Sequence, residues 1–452
     1  MATEDFNNDV HLVLNGVEVF IVESYRVNMG MLTVPATFEV VLGNGKLAQT
    51  LMPKFPPGTK FELRIAGNTQ FTGKTDGWAV AGSGGATLSL RGRDMLAELH
   101  DSLVSSEKSF GDVSLVDLTK HYLDEVYGAG NYKLAASSAA NRSAMSNTAG
   151  KKGTKVVKKA SKLSEAKKAT PGGPVVPDAA KNIAGLDKSI FLPTAGTKGK
   201  GIEAKLGMHI YADLLKPQFD RAGLFLFADR EGNFILTELA PEDPPNYRLV
   251  HRDGAIDNMV ESFSFTNTTE QRFAKCQVWG RRGGGKEART AVKGEFVDQE
   301  ITALGLRKVL ILEDEKCATP AQCEFLAKRK IGESRRAGWQ LRYTVGGHVT
   351  RALHGGGWCV WVPDSTVDVD DEELGISGPH YIEEVEHVGG QSTTTTMRLM
   401  RPTDVIFGAQ PPDQAKTGQV KTATRDPNRR HLRIDPTSGN LRLFDPASGQ
   451  FI

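Results

Sequence analysis

Between residues 10 and 93 hydrophobic and polar positions alternate with a period of two. The run "HLVLNGVEVFIV" breaks at Asn15-Gly16, a dipeptide suited to the positive φ angles of a two-residue hairpin. "ATFEVVLGNG" places Phe38, Val40 and Leu42 on one face, and "KFELRIAGNTQFTG" does the same with Phe61, Leu63 and Ile65 before a turn at Gly67-Asn68. "ATLSLRGRD" closes the series with Leu88 and Leu90. Successive side chains of a strand point to opposite faces, so this alternation, with turns roughly every eight to twelve residues, predicts a small antiparallel barrel or sandwich.

The period then changes. "DMLAELHDSLV" and "SLVDLTKHYLDEVYG" carry helical spacing; in the second, Leu115, Leu118, Tyr122 and Val126 share a face, Ser114 with Asp117 forms a capping pair, and Gly128 stops the helix. "MHIYADLLKPQFDRAG" is a helix that Pro217 should kink or shorten, and "LFLFADREGNFILTEL" is a hairpin turning at 230–233. Strands dominate again from 248 to 402, with "WQLRYTV" alternating Trp339, Leu341, Tyr343 and Val345. They are interrupted by a helix near 319–337, where Thr319 caps and Pro320 takes the first-turn position that proline tolerates. The fold class is therefore mainly β with α/β parts. A first β-barrel module spans 1–98, a mixed α/β domain 99–133 and 201–246, and a second β-barrel module 247–407.

Three segments stand outside this plan. Residues 134–200 are rich in Ala, Ser, Gly, Lys and Thr and too poor in large apolar residues to bury a core, which marks an insertion flexible in isolation. Residues 408–430 form a polar Pro/Gly linker, and 431–452 hold a short repeat, "DPTSGNLRLF" followed by "DPASGQFI". Each Asp-Pro-x-Ser-Gly starts a turn and leads into a strand. Strands this short are marginal alone, so they imply a partner or self-association. The residues placed to serve it are Leu432, Ile434, Leu441, Leu443, Phe444 and Phe451.

Composition adds little for the whole chain and much for one part of it. At 452 residues the chain is long enough for about two to four domains, and its net charge of +2 points to no class of partner. Residues 134–205, however, carry 14 Lys/Arg against 4 Asp/Glu, a net +10, which leaves −8 for everything else. Lys151, Lys152, Lys155, Lys158, Lys159, Lys167 and Lys168 are the candidate contact loop for an acidic neighbour or passing DNA. Without interleaved aromatics the loop lacks the stacking platforms of single-strand recognition, and a solvated, self-repelling loop is the alternative. Four cysteines without CxxC spacing read as reduced core thiols. The opening "MATEDFNNDVHLVL" has no basic segment followed by an apolar core, and no apolar run reaches the length of a membrane span. These features describe a soluble protein folded in a cytoplasm.

Motifs that resemble catalytic or ligand loops fail on their missing halves. His354 with the glycines that follow matches the oxyanion loop of lipases, but no Gly-x-Ser-x-Gly elbow accompanies it; the strings around Ser83 and Ser377 each lack a glycine. "GRRGGGK" at 280–286 nearly matches a phosphate-binding loop, yet Glu287 stands where the magnesium-binding hydroxyl belongs, so a hairpin tip is the better reading. "VDVDDEELG" crowds five carboxylates without calcium-loop spacing and reads as a solvated acidic turn. The ten histidines show neither HExxH nor HxH. No catalytic residue, metal or cofactor is expected. The glycines 355–357 would instead feed the strand "WCVWVPD", with Trp358 and Val360 on one face and Cys359 and Trp361 on the other.

The order of segments resembles one family. "LSLRGRDMLAELHDSLV", "SLVDLTKHYLDEVYG", "YADLLKPQFDRAGLFLFADREGNFILTEL", "DNMVESFSFTNTTEQRFAKCQVWG", "WCVWVPDSTVDV" and the closing "HYIEEVEH…TTTTMRLMRPTDV" are similar, in that order, to phage tail proteins of the Mu-like protein P group. These are baseplate hubs related to the hubs of contractile tails and to the hub part of type VI spike proteins. The resemblance covers most of 8–405 and leaves out the insertion and the tail. It implies two similar barrels per chain and a homotrimer whose pseudo-sixfold ring meets a hexameric tail tube or its terminal adaptor above and a central spike below. Baseplate wedge contacts, transient passage of genomic DNA, a place in the virion tail after synthesis in the host cytoplasm, and the absence of catalysis are also implied. A type VI or extracellular injection hub shares the fold; a hydrolase and a free-standing DNA-binding protein are the remote alternatives.

Overall fold

The computed structural model describes residues 10–136, 202–405 and the strand residues 431–434, 441–445 and 450–451, apart from breaks at 21–22, 33, 43–47, 83–86, 111–112, 240, 242, 255–256, 283–289, 315–316, 318 and 354–356. Thirteen strands belong to one sheet. In chain order they are β1 (Val10–Leu14), β2 (Val17–Phe20), β3 (Ser24–Gly30), β4 (Thr37–Leu42), β5 (Lys60–Ile65), β6 (Asn68–Ala81) and β7 (Thr87–Asp94). After the α/β domain come β8 (Tyr247–His251), β9 (Val260–Asn267), β10 (Trp339–Gly346), β11 (Ser365–Asp371), β12 (Ile376–Gly389) and β13 (Thr394–Met400). The spatial order is β9-β10-β13-β12-β3-β4-β7-β6-β5-β1-β2, with β11 paired to β12 and β8 to β11.

This corrects the expected closure. Among the described residues neither module closes on itself; the path stays open, and the edge of the first module, β3, pairs antiparallel with β12 of the second. Each module still has its own core. Leu12, Leu14, Val27, Phe38, Val40, Phe61, Leu63, Ile65, Phe71, Leu88 and Leu90 fill the first, with Phe38, Phe61 and Phe71 in mutual edge and tilted contact. Tyr247, Leu249, Leu341, Tyr343, Trp361, Val367, Ile382, Val385, Met397 and Leu399 fill the second. The alternation read from the sequence is the alternation of burial: β4 and β5 each run exposed–buried–intermediate–buried–intermediate–buried.

Asn15 and Gly16 take φ of 48° and 80°, as the two-residue hairpin joining β1 and β2 requires. The α/β domain packs the helices Leu96–Asp101 and Leu115–Tyr127 against a hairpin, Phe225–Ala228 with Phe234–Thr237. Leu134–Ala136, the first residues of the low-complexity stretch, add a parallel strand to that hairpin. Pro217 is accommodated by splitting the helix before it: Ile210–Leu215 is a π turn and Lys216–Ala222 an α-helix with Pro217 in its first turn, ended by Gly223 in the left-handed region. The helix Pro320–Gly338, closed by a capping box between Thr319 and Gln322, covers a three-stranded sheet of Lys275–Arg282, Thr290–Val297 and Val309–Glu313. Buried Asp298 anchors that layer by ion pairs to Arg272 and Arg335, and Glu300 links Arg272 to Arg401. The buried free thiols Cys276, Cys317 and Cys323 sit in this layer, and Cys359 in the second module.

The β3–β12 seam has one tight point. Gly389 lies opposite Tyr25, and a Cβ on it would fall 2.0 Å from the Tyr25 ring. Gly389→Ala is expected to destabilise the protein by about 1–3 kcal/mol in urea unfolding, the usual range for overpacking, and in a chain that already carries Tyr25→Ala the added cost of Gly389→Ala should be close to zero.

Candidate assembly surfaces

The Gly-Arg-Asp string joins the first module to the α/β domain, and each residue has a separate reason to be there. A side chain on Gly92 would strike the Phe38 ring at 2.5 Å. Arg93 reaches out to Asp76 at 2.9 Å and Asp101 at 2.7 Å. Asp94 turns inward: its carboxylate accepts the Leu96 N–H at 2.9 Å and the Ala36 N–H at 3.0 Å, satisfying the start of the following helix. Full burial pushes its pKa up to about 7, against the pull of those N–H groups and of Arg93. An open cleft of about 730 Å³ lies over this junction, but its cations are already paired, Arg93 with Asp76 and Asp101, and Lys74 with Glu98 at 2.5 Å.

The acidic string at 367–375 corrects the expectation of a solvated turn. Asp371 is buried and accepts from the Tyr343 hydroxyl, the Leu374 N–H at 2.7 Å and His251 Nδ1 at 2.8 Å. Burial alone would raise this carboxyl; the hydrogen bonds outweigh it and hold it below the usual range. Asp370 pairs with Arg248 and Arg252, and Glu372 with Arg252. Among the described residues no group of three or more potential metal ligands forms.

The strand after the HGGG segment holds the modules together. Val349–Arg351 and Trp358–Val360 pair antiparallel, with Thr350 opposite Cys359; His354, Gly355 and Gly356 lie outside the described residues. Val360 packs into the core of the first module, whereas Cys359 and Trp361 pack into the second, Trp361 against Tyr247 at 4.8 Å between ring centroids. Trp361 thus fills the second core, and the alternation expected of the strand divides it between two cores.

Beside this strand a buried polar cluster spans the seam. Tyr25 Oη is 2.7 Å from His348 Nε2, and Thr395 Oγ1 is 2.9 Å from His348 Nδ1 and 3.0 Å from His387 Nδ1. The two histidines face each other at 3.2 Å, and the Thr395 hydroxyl donates to the Gly347 carbonyl. Nothing in the sequence links residues 25, 348, 387 and 395. Only the fold brings them together, although "SYRVNMG" carried an unread strand signal in Tyr25, Val27 and Met29.

Burial lowers the pKa of His348 to about 4; burial and the adjacent His348 hold His387 well below its ordinary value. Because the unfolded chain takes up these protons first, stability is intact above pH 6.5 and falls as pH drops from there toward 4. His348 alone should account for about 2 kcal/mol of lost stability at pH 5 relative to pH 7.5. Urea unfolding at the two pH values measures this, and His348→Asn should remove that share of the difference while leaving the part due to His387.

Of the residues singled out in the sequence, the seven lysines of the contact loop lie outside the described residues. The tail forms a three-stranded antiparallel sheet, His431–Ile434, Leu441–Asp445 and Gln450–Phe451. Its register sets Leu432 opposite Leu443, Ile434 opposite Leu441 and Phe444 opposite Phe451. No helix among the described residues is long and apolar enough to cross a membrane.

No protein-family model matches the chain, and no curated protein is similar to it in sequence. Solved structures are similar to it in fold. A tail protein from Neisseria meningitidis MC58 superposes with a TM-score of 0.63 at 18% identity, over 89% of this chain and 99% of its own. The 43 kDa tail protein of prophage MuSo2 from Shewanella oneidensis superposes with a TM-score of 0.60 at 16% identity, over 88% of this chain and 99% of its own. The chain shares the fold of these two tail proteins, the kind of protein its motifs resemble.

Proposed function

We propose that the chain is the structural baseplate hub of a contractile phage tail, a homotrimer that joins a hexameric tail tube to a central spike and leaves a channel for DNA. One observation carries the reading. Five strands of each module repeat: β3, β4, β7, β6 and β5 of the first run in the same spatial order as β9, β10, β13, β12 and β11 of the second. Both of their long strands, β6 and β12, bulge at the same place, between Thr75 and Gly77 and between Ile382 and Glu384. A chain with two equivalent units gives three copies six equivalent units, which is the adaptor that a sixfold tube and a threefold spike require. The polar networks described above are spent on internal pairing, as in a protein whose task is to hold shape. Light scattering on the purified full chain should give the mass of a trimer; a monomer at all concentrations would sink the reading.

The tail meander, with Leu432, Ile434, Leu441, Leu443, Phe444 and Phe451, is the proposed spike-docking element, since a sheet of this size gains stability from a partner. Deleting residues 431–452 should abolish spike binding in a pull-down and leave the trimer intact. The lysine loop is proposed to touch DNA or an acidic neighbour. Removing residues 140–199 should reduce the log–log salt slope of that association by about one unit for each lysine that meets a phosphate; equal slopes with and without the loop would exclude the role.

A further inference from the structure

The repeat also says how one copy meets the next. Aligning the two bulges matches Trp78 with Val385, Val80 with His387 and Gly82 with Gly389. The neighbouring strands agree: Leu90 lies opposite Trp78 as Met397 lies opposite Val385. Val40 faces Leu90 as Tyr343 faces Met397. One strand further out, Tyr25 faces Val40 and Phe263 faces Tyr343, while Val27 and Phe265 hold the next equivalent positions. So β9 is the counterpart of β3, and the far half of β6 is the counterpart of the far half of β12.

Within the chain these counterparts are joined. Past its bulge β12 pairs with β3, His387 opposite Val27 and Gly389 opposite Tyr25. Their equivalents are open. Among the described residues β9 pairs only with β10, and β6 past Asp76 pairs only with β7. Both edges expose apolar side chains: Phe263 and Phe265 are 37% exposed and Val80 50%. An eight-residue edge without proline or lysine is an invitation to pair.

We infer that β9 of one copy pairs antiparallel with residues 77–82 of β6 and its extension in the next copy, in the register of the β3–β12 seam, placing Phe265 opposite Val80 and Phe263 opposite Gly82. The inference rests on the oligomer proposed above and names its contact. A second observation supports the register. In the seam Gly389 leaves room for the Tyr25 ring, which a Cβ would meet at 2.0 Å. The transferred register again sets a glycine, Gly82, against the aromatic ring of Phe263. Rings laid over cross-strand glycines are a recurring way to fix strand register.

Cysteine cross-linking in the full chain tests this, since the four native cysteines are buried. Val80→Cys and Phe265→Cys chains, mixed and mildly oxidised, should give a covalent two-chain species as the main product, with neither variant alone doing so. Ala79→Cys with Phe265→Cys, displaced by one residue to the opposite face, should give less than about a tenth as much. Phe265→Asp, at an exposed position, should weaken self-association at least tenfold. A trimer by light scattering that fails to cross-link, or cross-links better through Ala79, overturns the pairing and leaves the hub reading standing. Cross-linking through Val80 in an assembly that is not a trimer upholds the pairing and overturns the trimeric hub.

Discussion

The pairing of β3 with β12 is the constraint on which the rest of the molecule depends. Without it the chain would be two small β modules strung on either side of an α/β domain. With it, a single sheet runs from β9 to β2 and the modules have a fixed relation. A backbone ladder between modules is more exacting than an apolar contact, because slipping by one residue would turn every side chain to the wrong face. The seam is specified three times over: by the space Gly389 leaves for Tyr25, by the histidine and threonine network, and by Val360 crossing between cores.

That network is a demanding thing to bury. Each histidine must stay neutral and offer one donor and one acceptor, and the Thr395 hydroxyl is already committed to the Gly347 carbonyl. Nε2 of His387 has no hydrogen-bond partner among the described residues, so what fixes the geometry is the pairing of both histidines with the one Thr395 hydroxyl and of His348 with Tyr25. The seam therefore favours one geometry over its near neighbours.

Much of the fold was legible in the sequence because it is local. Strand alternation, the Asn15-Gly16 turn, the Thr319 cap and the break before Pro217 all depend on residues within a turn or two of each other. What stayed hidden is non-local. An alternating run such as β3 announces a strand but not its neighbour, so the sequence did not show that β3 pairs with β12 and that the sheet runs on as an open path. The acidic string misled for the same reason: Asp371 is buried by partners at 251 and 343, far from it in sequence. The Gly-Arg-Asp string carried a resemblance in the sequence, but its chemistry became readable only when Phe38, Asp76 and Ala36 came into contact with it.

The strand that follows the HGGG segment also limits how the protein can change over generations. Val360 and Trp361 are neighbours on the backbone and occupants of different cores. A shift that accommodates a new volume at one moves the other, so neither core can be remodelled on its own. The two modules look like a duplicated unit free to diverge, yet at this strand they share a single inheritance. Substitutions in one half must be matched by substitutions in the other, and exchanging either half for a relative's would have to carry this strand along with it.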